Sequence, residues 1–248
     1  MRALRILLVV VVILGGLFVL VDRVAVHFAQ GEVADRLKSR ENLAVTPSVS
    51  IEGFPFLTQV AGGDLDDVKI GIKEYEASTG TASGSGTATI RIDDLKADMK
   101  GVEFSGDYSS ATADTATGSA NITYAELLKA AKGDATTVAP GVTAQVIGLS
   151  DGGNGKIKVA VKAKALGHTL PPMYVLSTVT VVGDTVRVHA DGLPAFAGVQ
   201  LAEAKVRTIT DFQQTIDQLP GGIKLDSVVA AKNGVDITVR GSKVKLAG

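Results

Sequence analysis

The stretch Gly155–Ala165, "GKIKVAVKAKA", sets Ile157, Val159, Val161 and Ala163 against lysines at 156, 158, 162 and 164. Alternation with a period of two places one kind of residue on each side of an extended chain, so this segment predicts a strand with one dry and one wet face. The same pattern recurs in "DVKIGIKEY" (67–75), "DTVRVHA" (184–190), "GVDITVRG" (234–241) and "SKVKLA" (242–247). Strands of this kind build antiparallel sheets that cover a core on one side only. Turn signals separate them at "DGGNG" (151–155), "VGD" (182–184), "KNG" (232–234) and "RGS" (240–242), and the last two turns predict a hairpin run to the C-terminus.

Upstream of Pro47 the period is different. "MRALRILLVVVVILGGLFVLVDR" carries Arg2 and Arg5 ahead of an aliphatic run, Ile6 to Val21, broken only by Gly15 and Gly16. A run of this length approaches the 20 or so residues that cross a bilayer, and Val24, Ala25, Val26 and Phe28 extend its apolar side. The A-x-A positions of a cleavable signal are occupied by Arg23 before Ala25 and His27 before Ala29, which favours a retained anchor. Arg2 and Arg5 argue for an inside N-terminus, hence for a domain on the extracytoplasmic side of the cytoplasmic membrane. Beyond the anchor, Val26, Ala29, Val33 and Leu37 fall at helical steps among Gln30, Glu32, Asp35, Arg36 and Lys38, predicting an amphipathic helix that ends near Asn42 and Pro47. The expected organisation is an anchor over 1–23, a packed helix over 24–44, and one β-rich domain over 45–248.

Two short helices are expected among the strands. "TYAELLKAAKG" has Thr123 as cap, Leu127 and Leu128 as contacts and Gly133 as stop; "TDFQQTIDQLPGG" has Phe212, Ile216 and Leu219 at helical spacing. The small-residue pieces at 77–89 and 109–120 read as a hairpin loop and a thin strand. "EGFPF" (52–56), "DGLPAF" (191–196) and "DQLPGG" (217–222) each set an acidic residue and a large apolar residue before proline, at a turn that enters a strand. The resulting fold class is α+β: an anchor and amphipathic helix, then a curved, mostly antiparallel sheet wrapped on short helices.

Composition removes several function classes. With 25 basic and 26 acidic residues and no basic block, the chain lacks the field that nucleic acid binding needs. The absence of cysteine excludes thiolate catalysis, zinc-thiolate sites and lipoprotein attachment. His27, His168 and His189 have no metal-ligand spacing, "GGDLDD" (62–67) lacks the calcium-loop pattern, and no nucleophile elbow or phosphate loop is present. His189 and Asp191 share a strand face as a surface pair. No catalytic residue, metal or cofactor is assigned. A hydrolase would need a carboxylate such as Asp66 or Asp191 to act in a cluster assembled only in space.

An aliphatic sheet curved over helices can hold acyl chains, or it can be an ordinary filled core; periodicity does not separate the two. The segments "RILLVVVVILGG", "VSIEGFPFLTQVAGGDLDDVKI", "ANITYAELLKA", "DGLPAFAGVQLAEAKV" and "QLPGGIKLDSVVAAKNGVDITVRGSKVKL" together resemble the actinobacterial LmeA-like phospholipid-binding family, with Gly53–Thr58 the most specific piece. The resemblance implies a fold similar to tubular lipid-binding domains, phospholipid as partner, phosphoinositides included, and a role in maturation of envelope glycolipid or lipoglycan. Under it, the acyl-chain contacts are expected at Phe54, Pro55, Phe56, Leu57, Leu127, Leu128, Leu193, Phe196, Phe212 and Leu219. Phe54 and Phe56, two apart around Pro55, are expected to point to one side, as a cavity mouth or as a staple closing the sheet. The other reading is an envelope scaffold that recruits a biosynthetic enzyme through a filled, lipid-free domain.

Overall fold

The computed structural model describes residues 2–79, 88–107, 109–131, 135–183, 185–192, 207, 211–215 and 222–247. Its first element is one continuous helix, α1 (Arg2–Arg40), of 39 residues, about 58 Å long at 1.5 Å per residue. Residues 2–21 are exposed throughout and have no protein partner, as a segment long and apolar enough to cross a membrane requires. Asp22 is the first buried residue, and from there Val26, Ala34 and half-buried Ala29, Gln30 and Leu37 turn toward the domain. Val33, expected on that stripe, is instead 39% exposed, because the buried line drifts by one position to Ala34 over three turns. The helix ends at Asn42, whose φ of 50° is left-handed, with Leu43 N–H donating to the Lys38 carbonyl at 2.9 Å and the Leu43 side chain buried.

Strands follow in two sheets. Sheet A has the order β1 (Ser48–Glu52), β2 (Asp64–Thr79), β3 (Ala88–Phe104), β4 (Ala111–Thr123), β13 (Gly234–Ala247), β12 (Lys224–Ala231). Sheet B runs β11 (Phe212–Thr215), β10 (Thr185–Ala190), β9 (Met173–Val182), β7 (Lys156–Ala165), β6 (Val142–Gly153), β5 (Thr136–Ala139), with β8 (His168–Thr169) also on β7. Each described pairing is antiparallel. Strands of 16 and 17 residues such as β2 and β3 cannot stay flat. Irregular register between Asp93 and Lys96, with Asp94 at φ 50°, and between Lys245 and Ala247 lets sheet A curl into a half-barrel.

The dry faces meet in two clusters. One joins Val138, Val142, Val159 and Val161 of sheet B to Leu225, Val228 and Val235 of β12 and β13. The other joins Val26 of α1 to Ile51, Leu65, Met99, Val102, Ala113 and Val244 on sheet A, with Phe56 between them. The helix α3 (Tyr124–Ala131) closes the first cluster: Thr123 Oγ1 caps it by accepting from Glu126 N–H at 3.3 Å, and Tyr124 Oη donates to the Ala231 carbonyl at 2.7 Å. Buried Glu126 is satisfied by Lys129 and by Arg91 N–H.

Three expectations are corrected. Residues 212–215 form an edge strand on β10 rather than part of a helix, since the open edge of β10 supplies ladder partners that outweigh a weak helical spacing. "RGS" does not turn: β13 runs through it, because β4 is long enough to pair out to Ala247, and Lys243 at φ 52° absorbs the irregularity while Val244 returns to the core at 1% exposed. The unforeseen helix α2 (Phe56–Gly62) begins directly after Pro55 and stops at left-handed Gly63, so Phe54 and Phe56 point to different surroundings. The proline segments at 193–196 and 216–221 lie outside the described residues.

The hairpin joining β12 to β13 depends on Gly234, where an added Cβ would lie 2.2 Å from the Ile122 carbonyl oxygen. Gly234→Ala is expected to cost about 2 kcal/mol or more, as overpacking against backbone does, read from the urea unfolding midpoint.

Candidate functional site

Alternation assigns the inner face of sheet A, the face toward α1 and sheet B. Across the middle of it runs a register row, Ile70 on β2, Ala97 on β3, Gly118 on β4 and Val239 on β13. The next row carries Ile72 and Leu95, then Ala120 beside Ile237. Except for buried Ile72, these residues are half-buried, and they lie between the two filled clusters. Ala97, Gly118 and Ala120 put little side chain into the space above them, so the strip is a low apolar floor walled by longer aliphatic residues. Gly118 is held small by Val239, whose Cγ2 would be 2.7 Å from an added Cβ. Such a strip matches an acyl chain in chemistry, being apolar and without a polar group on the same face.

The outer face of the same sheet has the opposite character. Its hollow of about 470 Å³ is floored at Gly71 and edged by Ser48, Lys69, Lys96, Asp98 and Ser119. Val49, Ile70 and Ala97 also line it, so the two faces share these strands.

At one end of the inner face stands the G-F-P-F segment, and a single carboxylate sets its position. Asp22, fully buried on α1, accepts the Leu57 N–H at 2.8 Å and pairs with the guanidinium of Arg23. Leu57 lies in the first turn of α2, where helical N–H groups have no partner within the helix, and Pro55 supplies no side-chain cap. The anchor helix therefore caps α2 from another part of the chain. Gln59 Oε1 accepts Asp66 N–H at 2.8 Å, and the Gly63 carbonyl accepts Phe104 N–H at 2.8 Å, which ties the rest of α2 to β2 and β3. Phe56 enters the core at 8% exposed, whereas Phe54 is 56% exposed with the Arg23 guanidinium 5.2 Å from its ring centroid.

The expected contact residues thus separate. Phe54, Pro55, Phe56 and Leu57 gather at the point where the apolar run of α1 ends. Leu127 packs on the first cluster from α3 and Leu128 is half-buried on the same helix, at the other end of the domain. The backbone of Phe212 is in β11; Leu193, Phe196 and Leu219 lie outside the described residues. The strip of Ile70, Ala97, Gly118, Ala120 and Val239 was missed because alternation says which face is dry and not which part of it is covered. The small residues in "LKADM" and "TGSAN" were the available signal.

Titratable side chains outside this region form ordinary surface pairs. His189 and Asp191 are not partners: His189 Nδ1 is 2.7 Å from Asp211, while Asp191 accepts from Lys156 at 2.7 Å and from Thr178 Oγ1 at 2.6 Å. Among the described residues no three of His, Asp and Glu come together as a metal site would need. The Lys156 hydrogen bond, then that of Thr178, holds the Asp191 carboxyl below its usual 3.8. A lowered carboxyl stabilises the fold above the ordinary range and loses that contribution as pH falls through the folded value. Asp191→Asn is expected to lower the urea midpoint at pH 7, and the difference from the wild type is expected to shrink as the pH is taken below the ordinary carboxylate range, where the lowered carboxyl at last protonates.

Replacing Asp22 by Ala leaves the first turn of α2 uncapped in a dry setting, at about 1–3 kcal/mol. Amide exchange at Leu57 is expected to accelerate about tenfold or more, while amides of β7 stay protected.

Comparison with curated proteins and with solved structures gives no match. Residues 20–240 match the family described as LmeA-like phospholipid-binding, a span that begins two residues before Asp22 and takes in both sheets. A match over this much of the chain, joined to an apolar half-barrel face and a long apolar N-terminal helix, makes the protein a member of the LmeA-like phospholipid-binding family.

Proposed function

We propose that the protein is a membrane-anchored, extracytoplasmic phospholipid-binding protein that takes acyl chains onto the inner strip of sheet A from the G-F-P-F end. The observation that carries this reading is the burial of Asp22 against Leu57. It joins the last turn of the membrane segment to α2, and so sets Phe54 at the level where a lipid tail leaves the bilayer. Exposed aromatic rings favour that interfacial level, and Arg23 beside the ring supplies a cation for a phosphate headgroup, phosphoinositides among the candidates. Arg2 and Arg5 support an inside N-terminus. The same contact supports retention of the anchor, since cleavage after Ala25 or Ala29 would remove the cap of α2. Lipid held in this way suits supply to, or presentation for, maturation of an envelope glycolipid or lipoglycan, with no catalytic step by the chain itself.

The roles of the two phenylalanines divide accordingly: Phe56 staples α2 to the core and Phe54 guides lipid at the mouth. Phe56→Ala is expected to cost about 3–5 kcal/mol in unfolding experiments. Phe54→Ala should leave melting within about 1 °C, the usual result at an exposed site, and slow lipid uptake.

The full chain, reconstituted in nanodiscs that contain a phospholipid with a photoreactive acyl chain, tests the reading directly. Cross-links are expected at Ile70, Ala97 and Val239, and Ala97→Leu, which raises the floor of the strip, should reduce them several-fold without loss of fold. Cross-links confined to residues 6–21 would instead favour a lipid-free scaffold.

A further inference from the structure

The wet face of β7 sets a stripe of lysines beside two large exposed side chains of β9. On sheet A, several outward cations have a carboxylate partner, Lys69 with Glu52 and Asp67, Arg91 with Asp93, Arg240 with Asp226 and Lys243 with Asp114. On the outer face of sheet B, Lys158, Lys162 and Lys164 of β7 and Arg187 of β10 have no ion-pair partner among the described residues. The carboxylates at its margin are already engaged, Asp191 by Lys156 and Asp211 by His189 and Arg207. Among these cations two large side chains stand in solvent: Tyr174, cross-strand from Ala160, is 67% exposed, and Leu176, cross-strand from Lys158, is 42% exposed.

We propose that this face of sheet B docks onto an anionic phospholipid surface other than the bilayer that α1 crosses; the second half of that statement rests on α1 being the membrane anchor proposed above. The chemistry favours lipid over a soluble acidic partner. Lysines are mobile point charges suited to a diffuse negative surface, and on one face of β7 Lys162 and Lys164 stand about 7 Å apart with Lys158 about 13 Å before Lys162. A tyrosine and a leucine between them gain only where an apolar layer lies beneath the charge. Position supplies the rest. α1 runs alongside β2, with Gln30 reaching Ile51 and Glu41 reaching the Tyr75 hydroxyl, so Tyr75 is about 28 Å beyond Asp22 along the helix. α3, which packs against β6 of sheet B, is tied to sheet A at Arg91, and Arg91 pairs with Glu76 next to Tyr75. Sheet B is therefore joined to the part of sheet A farthest from the anchor.

The test uses the full chain reconstituted in neutral phosphatidylcholine vesicles, to which separate labelled vesicles are added. Capture of vesicles containing roughly a third phosphatidylglycerol should exceed capture of neutral ones at least about tenfold and decline with added salt. Combined Lys158→Gln, Lys162→Gln and Lys164→Gln should abolish the preference, and combined Tyr174→Ser and Leu176→Ser should weaken capture several-fold, both with unchanged melting. Equal capture of neutral vesicles, or indifference to the lysine changes, overturns the proposal. So does capture that ignores the Tyr174 and Leu176 changes and is displaced by polyglutamate, which marks a face for a soluble acidic partner. Co-flotation of the chain with its own vesicles after a high-salt wash reports anchoring separately: its loss would sink the anchor reading, while anionic-vesicle binding by the same variants in solution still decides the chemistry of the face.

Discussion

A carboxylate at the end of a long apolar run is an expensive thing to bury, and the position of α2 on the domain follows from how Asp22 is satisfied. Removed from water, it needs strong donors. It finds them in Arg23 and in the free N–H of Leu57 at the start of α2. A seven-residue helix is too short to be stable alone, and α2 persists because each end is tied to another element: Asp22 at the start, Phe104 at the finish, Asp66 along its side. Once this contact forms, Phe56 is driven into the cluster of Ile51, Leu65 and Met99, and the helix is held along β1 and β2. α1, α2 and sheet A thus share one joint.

From that joint the half-barrel acquires a direction. Its near end carries the exposed Phe54 and the buried Phe56; its far end is closed by α3 and sheet B. Between the two packed clusters, small residues on β3 and β4 keep the inner face shallow. The low floor is coherent with the family's lipid binding: apolar surface left half-covered in the protein is surface that hydrocarbon can cover. The outside of sheet B joins exposed Tyr174 and Leu176 to the lysines of β7.

Much of this was legible in the residues. The period of two predicted the strands and their antiparallel pairing, the aliphatic run after Arg2 and Arg5 predicted the long apolar helix, and Thr123 marked the start of α3. The failures have physical causes. At 212–215 an edge in need of ladder partners overrode helical spacing, and at Arg240–Ser242 a long neighbouring strand carried β13 through residues that favour a turn. α2 was overlooked because seven residues show no period, although Pro55 before it and Gly63 after it are the ordinary signals of a helix start and stop. Asp22 read as a charge that interrupted an apolar series, since its partner lies 35 residues on.

The sequence by itself determined which side of each strand is dry, where the membrane helix begins, and which family the chain resembles, because period, composition and local motif are properties of neighbouring residues. Tertiary structure alone decided that Phe54 and Phe56 part company, that Asp22 caps a helix it does not belong to, that half of a dry face stays partly uncovered, and that Lys156 pairs with Asp191. Each of these depends on which distant residues are brought within a few ångströms, and hydrogen bonding, burial and ion pairing act only at that range.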